Sequence, residues 1–83
     1  MYRIAIVEDE KEFREQLQEY LKRYGVENNI VFQIDVFEDG SDILEHYQKN
    51  YDMVLLDIEM PKVNGMDAAE RIREMDEEVV LMF

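Results

Sequence analysis

The hydrophobic positions of this chain change period repeatedly, from the continuous or alternating runs of strands to the spaced runs of helices. Residues 3–7 form a short, largely β-branched run that ends abruptly in Glu8-Asp9-Glu10, the pattern of a buried strand opening into a polar loop. From Lys11 the period lengthens. Phe13, Leu17, Tyr20, Leu21 and Tyr24 fall on one helical face, and Gly25 is the expected stop. In residues 30–37, Ile30, Phe32, Ile34 and Val36 face one way and Gln33 and Asp35 the other, which predicts an edge strand with one partly wet face. Asp39-Gly40-Ser41 reads as a turn, with Ser41 or Asp42 placed to cap a short helix carrying Ile43, Leu44 and Tyr47. Met53–Leu56 is a second continuous apolar run, closed by Asp57. A loop with Pro61, Asn64 and Gly65 then leads into a helix expected to turn Met66, Ala69, Ile72 and Met75 inward. Residues 79–83 open a last apolar strand.

Strand and helix thus alternate as β-α-β-α-β-α-β, which predicts an α/β protein with a parallel sheet and helices on both faces. Two of the strands are apolar throughout, as buried parallel strands are, and the more polar second strand belongs outside them. The spatial order that follows is 2-1-3-4. That is the flavodoxin-like doubly wound arrangement, truncated before its fifth strand. At 83 residues the chain has room for one domain, spanning 1–83 and expected to be incomplete at its C-terminal side. No internal repeat, linker or low-complexity segment interrupts it.

Composition narrows the function classes. The chain is 47% hydrophobic, with four Phe and five Tyr, so it can bury a core and is not of disordered composition. It has no cysteine, which excludes disulfides and thiolate metal sites. The opening MYRIAIVEDE makes a poor signal peptide, and no stretch approaches the roughly 18 apolar residues of a membrane span. A cytoplasmic protein without membrane association is expected. The 21 acids outnumber nine bases for a net charge of −12, which repels phosphate backbones. Any contact with DNA would belong to a domain absent from this chain.

In open α/β sheets, ligands bind beyond the carboxyl ends of the strands, where the strand order reverses. Here the reversal lies between strand one, which ends in Glu8-Asp9, and strand three, which ends in Asp57. Neighbouring strands run about 4.8 Å apart, so these carboxylates are expected to converge. Held together and ionised they repel one another. A hard divalent cation relieves that repulsion, and an all-oxygen set with positions left for water suits Mg²⁺.

These same segments, IAIVEDE, DMVLLDIEMP and VNGMDAAERIRE, resemble the receiver domain of bacterial two-component response regulators, and the resemblance runs from Met1 to Phe83. It implies that Asp57 accepts a phosphoryl group from a phosphohistidine on a sensor histidine kinase. It also implies that Glu8, Asp9 and Asp57 hold Mg²⁺, with Glu59 supplying a backbone carbonyl. Phosphoryl transfer is mainly positioning and electrostatics, so the implied function is a signalling switch, not a turnover enzyme. Pro61 and Gly65 would shape the loop, Gly65 by adopting backbone angles closed to other residues. The run from Asp57 to Glu74 looks most like receivers joined to LytTR-type DNA-binding domains, which implies a role in transcription regulation. The family also uses a Ser or Thr after strand four and a Lys after strand five. Neither lies within these residues, and the apolar strand-four edge is expected to make the chain self-associate.

Weaker signals have ordinary explanations. Asp35 to His46 imitates a calcium loop, but Phe37 and His46 stand where acids or amides are required. His46 is read as a surface residue, the tyrosines as core, and the methionines of the third helix as core packing. Two other functions compete. A haloacid-dehalogenase-type aspartyl-phosphate phosphatase would need Asp-x-Asp, whereas Glu8 and Asp9 are adjacent and no Asp lies two residues after Asp57. A stand-alone receiver would act through protein partners alone.

Overall fold

The computed structural model describes residues 1–57 and 63–83. Its centre is β1 (Tyr2–Val7), whose small and β-branched residues suit a strand covered on both faces. β1 pairs in parallel with β2 (Phe32–Phe37) on one side and β3 (Met53–Leu56) on the other, and β4 (Val80–Met82) pairs with β3. The order β2-β1-β3-β4 is the flavodoxin-like one that the hydrophobic pattern predicts. The β2 edge position accounts for its mixed pattern. Val7 stands level with both Phe37 and Leu56, so the three strands end together.

Alternation along β1 divides the interior in two. Ala5 and Val7 point to one face and join Val54, Leu56, Ile43 and Ile72 in a single cluster with residues of α2 (Gly40–His46) and α3 (Gly65–Met75). Ile4 and Ile6 point the other way and are equally buried, and α1 (Lys11–Asn28) packs against β2. Both faces are therefore used.

The seating of α1 corrects the sequence reading. Gly25 does not end the helix, which continues to Asn28 and closes on Asn29 in the left-handed region at φ 57°. Asn tolerates that conformation better than most side chains. Gly25 is buried because a Cβ there would lie 2.6 Å from the Ile30 carbonyl oxygen and 3.3 Å from the Phe32 ring. This close approach makes the row Leu17, Leu21 and Gly25 face the sheet. Phe13, Tyr20 and Tyr24, expected inward, fall on its margin and are largely exposed.

Capping settles the other two helices. Asp39, not Ser41 or Asp42, caps α2 by accepting the Asp42 N–H at 2.9 Å, and Tyr47 is the residue just beyond the helix. Asn64 caps α3 by accepting the Asp67 N–H at 3.0 Å. Gly65 is the buried first residue of α3, and no described glycine has a positive φ, so it is not the special turn residue expected. Nor are the methionines core. A three-residue repeat drifts by about 60° per step on a helix of about 3.6 residues per turn. Met66 and Met75 consequently lie on opposite flanks, exposed, while Ala68, Ala69 and Ile72 fill the interior. The last strand begins one residue late: Val79 is buried in the core, and Val80, Met82 and Phe83 are about half exposed.

Polar ties fasten the sheet away from the strand ends. Asp35 accepts from the Tyr51 hydroxyl at 2.5 Å and from Arg3 Nη2 at 3.2 Å, while the Arg3 guanidinium lies over the Tyr51 ring. Asp76, nearly inaccessible after α3, accepts from the Tyr47 hydroxyl at 2.7 Å and from the Glu78 and Val79 N–H groups. Those bonds, the tyrosine's first, hold its carboxyl below the ordinary value of 3.8. Tyr51 is thus a core tyrosine as expected, and Tyr47 is half-buried, but Tyr2, Tyr20 and Tyr24 are exposed.

Three expectations follow for stability. Ile72→Ala should cost about 2–5 kcal/mol in urea unfolding, because it leaves a cavity in the core. Met66→Ala, by contrast, should cost under about 1 kcal/mol. Because the folded-state pKa of Asp76 is depressed, its stabilisation is present above the unfolded value and lost as pH falls through the folded one, below 3.8. Asp76→Asn should therefore flatten the acid limb of a stability–pH curve, and an unaltered limb would show that other carboxyls carry it.

Candidate functional site

The level strand ends create the site. Beyond the strands, the Glu8 N–H donates to the Phe37 carbonyl and the Asp57 N–H to the Val7 carbonyl, each at 3.0 Å. The ladders on either side of β1 thus extend one residue into the acidic loops and fix the backbone of both residues. Between β1 and α1 lie only residues 8–10. Glu10 occupies the N-cap position in an extended conformation without a side-chain cap, and its own N–H donates to Glu8 Oε2 at 3.1 Å. Arg14, one turn into α1, donates through Nη1 to the Glu8 carbonyl at 2.8 Å and, at a longer 3.4 Å, to that of Asp9.

The structure brings together the three acids that the sequence singled out. Carboxylate oxygens of Glu8, Asp9 and Asp57 all lie within 4.8 Å of one another, with Glu8 and Asp57 half-buried and Asp9 exposed. They line one end of an open cleft of about 820 Å³ whose other walls include Phe13, Leu17, Leu55 and Met82. Burial pushes the Glu8 carboxyl up, and the neighbouring Asp9 and Asp57 push it further, against the lowering by the Glu10 N–H. Three carboxylates this close together concentrate negative charge. The donors are all oxygen and open to solvent on one side. That set fits a hard divalent cation that keeps some of its water. Among the described residues, no other group of acids and histidines has this arrangement.

The remaining candidates fall elsewhere. Glu59, expected to offer its backbone carbonyl, and Pro61 lie outside the described residues. His46 is exposed at the end of α2, with Nδ1 3.0 Å from the Asp42 carbonyl oxygen and away from the acidic cluster. Arg14 was not singled out by its sequence context. The signal was available: a base that falls in the same helical row as Leu21 and Gly25, soon after three consecutive acids.

Comparison with known proteins gives the family. The family model described as the response regulator receiver domain matches residues 4–83. The chain belongs to that family. It is 38% identical over 82 residues to the transcriptional regulatory protein DltR of Streptococcus agalactiae, covering 98% of this chain and 34% of that protein. It is 33% identical over 82 residues to the transcriptional regulatory protein CpxR of Escherichia coli, covering 99% of this chain and 33% of that protein. The chain thus spans about a third of the length of these relatives. Among solved structures, the response regulator TrrA of Thermotoga maritima in complex with Mg²⁺-BeF superposes with a TM-score of 0.84 at 38% identity, over 98% of this chain and 66% of that one. TrrA in complex with the histidine kinase ThkA gives a TM-score of 0.82, with the same identity and coverage. Among the described residues, no helix is long and apolar enough to cross a membrane.

Proposed function

We propose that this chain is the phosphoacceptor module of a two-component system and that Asp57 takes a phosphoryl group from a phosphohistidine of a sensor histidine kinase. The observation that carries the proposal is the position of Asp57. It follows directly on β3, its N–H bonded to the Val7 carbonyl and its carboxylate beside those of Glu8 and Asp9. In the transfer, a bond forms between an Asp57 carboxylate oxygen and phosphorus as the phosphorus–nitrogen bond of the donor breaks. Glu8, Asp9 and Asp57 would hold Mg²⁺, with the Glu59 carbonyl as a further ligand. When bound, the ion supplies positive charge to the transferring oxygens. The ladder bonds hold Asp57 still, and the open side of the cleft admits the donor.

The comparisons support parts of this reading. A response regulator in complex with Mg²⁺-BeF, and the same response regulator in complex with a histidine kinase, are among the similar structures. The names of DltR and CpxR support an output in transcription regulation by a domain outside this chain. The LytTR-type output is the finest part of the proposal and rests on residues 57–74 alone. The family match favours a switch over the phosphatase alternative. A stand-alone receiver acting through partners would use the same site.

Labelling tests the site. The protein carrying this domain should react with a small-molecule phosphodonor in Mg²⁺, and Asp57→Asn should abolish the label. Undiminished labelling would overturn the assignment. In calorimetric titrations Asp9→Asn should weaken Mg²⁺ binding by about tenfold or more, equivalent to about 1.4 kcal/mol. Glu8→Gln should weaken it less, since its carboxylate is already engaged by the Glu10 N–H.

The exposed β4 edge supports one further expectation, that the 83-residue chain self-associates through it. Light scattering over a concentration series should show a rising apparent mass. A constant monomer mass would dismiss it.

A further inference from the structure

We propose that Arg14 is a positioning residue for the acidic loop, clamping the backbone of Glu8 and Asp9 so that their carboxylates meet Asp57. The inference rests on the reading of Glu8, Asp9 and Asp57 as the metal-binding acids. Three consecutive acids in a loop of residues 8–10 repel one another, and such a loop left to itself would splay. Glu8 is tied at its N–H to β2, and the Glu10 carbonyl accepts the Arg14 N–H at 3.0 Å. Between these anchors, the carbonyls of Glu8 and Asp9 accept from one guanidinium nitrogen, at 2.8 and 3.4 Å. A peptide group is planar, so fixing those carbonyls restricts the direction in which each side chain leaves the backbone. Both acids are thereby oriented from behind, through the main chain, and their carboxylate oxygens are left to face Asp57.

The location of Arg14 supports this role over a solvated surface charge. It belongs to the row of α1 that also holds Leu21 and Gly25, the row that faces the sheet, and it is half-buried. A long cation in such a row needs hydrogen-bond acceptors, and the loop carbonyls supply them. Arg is suited to the task because its planar guanidinium can serve two acceptors while staying charged at any working pH.

Two effects of this residue on Mg²⁺ oppose each other, and their sign decides the matter. A guanidinium near the cluster repels a second cation, so its charge alone would weaken metal binding. Its clamp orders the ligands and would strengthen binding. The clamp should win. In calorimetric titration of the protein carrying this domain with MgCl₂, Arg14→Ala should bind about threefold to tenfold more weakly than wild type, and Arg14→Lys should recover part of the loss. Equal or tighter binding by Arg14→Ala would mean that only the charge acts, and would overturn the proposal. Hydrogen exchange in metal-free buffer provides a readout independent of the ion. The Glu8 and Glu10 amides should exchange faster in Arg14→Ala while those of β3 are unchanged. Loop amides that exchange as in wild type would also overturn the clamp. Should the wild-type chain bind no Mg²⁺, the reading of the acids as metal ligands fails, and exchange alone then decides whether Arg14 holds the loop. Arg14→Lys carries both comparisons if the alanine variant does not fold.

Discussion

The structure depends on one matter of register. Val7 of β1 stands beside Phe37 on one side and Leu56 on the other, so three parallel strands finish at the same level. Parallel pairing makes this consequential. Every strand points its carboxyl end the same way, and every loop that follows emerges on the same edge. A slip of one residue on β3 would move Asp57 along the strand and send its neighbours to the opposite face. That slip is resisted because Val54 and Leu56 are buried among core residues, and moving them would expose both. The hydrophobic core thus aligns carboxylates that would not gather by themselves.

The second requirement is that the helix following Glu8 and Asp9 be seated closely. Gly25 lets the far end of α1 approach the Ile30 carbonyl and the Phe32 ring, which no larger residue would allow without a shift. The near end is held by Arg14 reaching back to the loop carbonyls. Backbone proximity at one end and a charged hydrogen bond at the other fix the rotation of the helix about its axis. Leu17 and Leu21 then lie toward the sheet, and the aromatic residues are left on the margin.

How much of this was legible in the sequence follows from what each pattern encodes. Strand order was readable because apolar runs and one alternating run distinguish central strands from an edge. The meeting of Glu8, Asp9 and Asp57 was readable because it needs only that order and the positions of strand ends. Helix faces were less so. The residues from Phe13 to Tyr24 do share a side of α1, yet which part of that side meets the sheet depends on the approach at Gly25, a contact with residues beyond the helix. The spacing of Met66, Ala69, Ile72 and Met75 suggested a stripe, but a strict three-residue repeat winds away from any one face. Capping failed for a related reason: Asp39, Ser41 and Asp42 are all competent caps, and only the extended backbone at Asp39 selects among them. The role of Arg14 was hidden because its acceptors are main-chain carbonyls, and every residue has one.

Acids beyond the strand ends and acids elsewhere in the fold are treated in opposite ways, and the contrast separates stability from chemistry. Within β2 and just after α3, Asp35 and Asp76 each receive a tyrosine hydroxyl, with Arg3 on the first and two N–H groups on the second. Such acids have their charge distributed over donors and tie distant parts of the chain together. Where the strands end, the acids face one another, and the donors reach the loop mainly through its backbone. Glu8 is lifted toward its neutral form by burial and by its acidic neighbours, while Asp76 is lowered by its donors. The Glu8 carboxylate takes one donor directly, from the Glu10 N–H, and Arg14 holds the loop through its carbonyls. The fold therefore gathers repelling carboxylates beyond the strand ends, while Asp35 and Asp76 are matched with donors elsewhere.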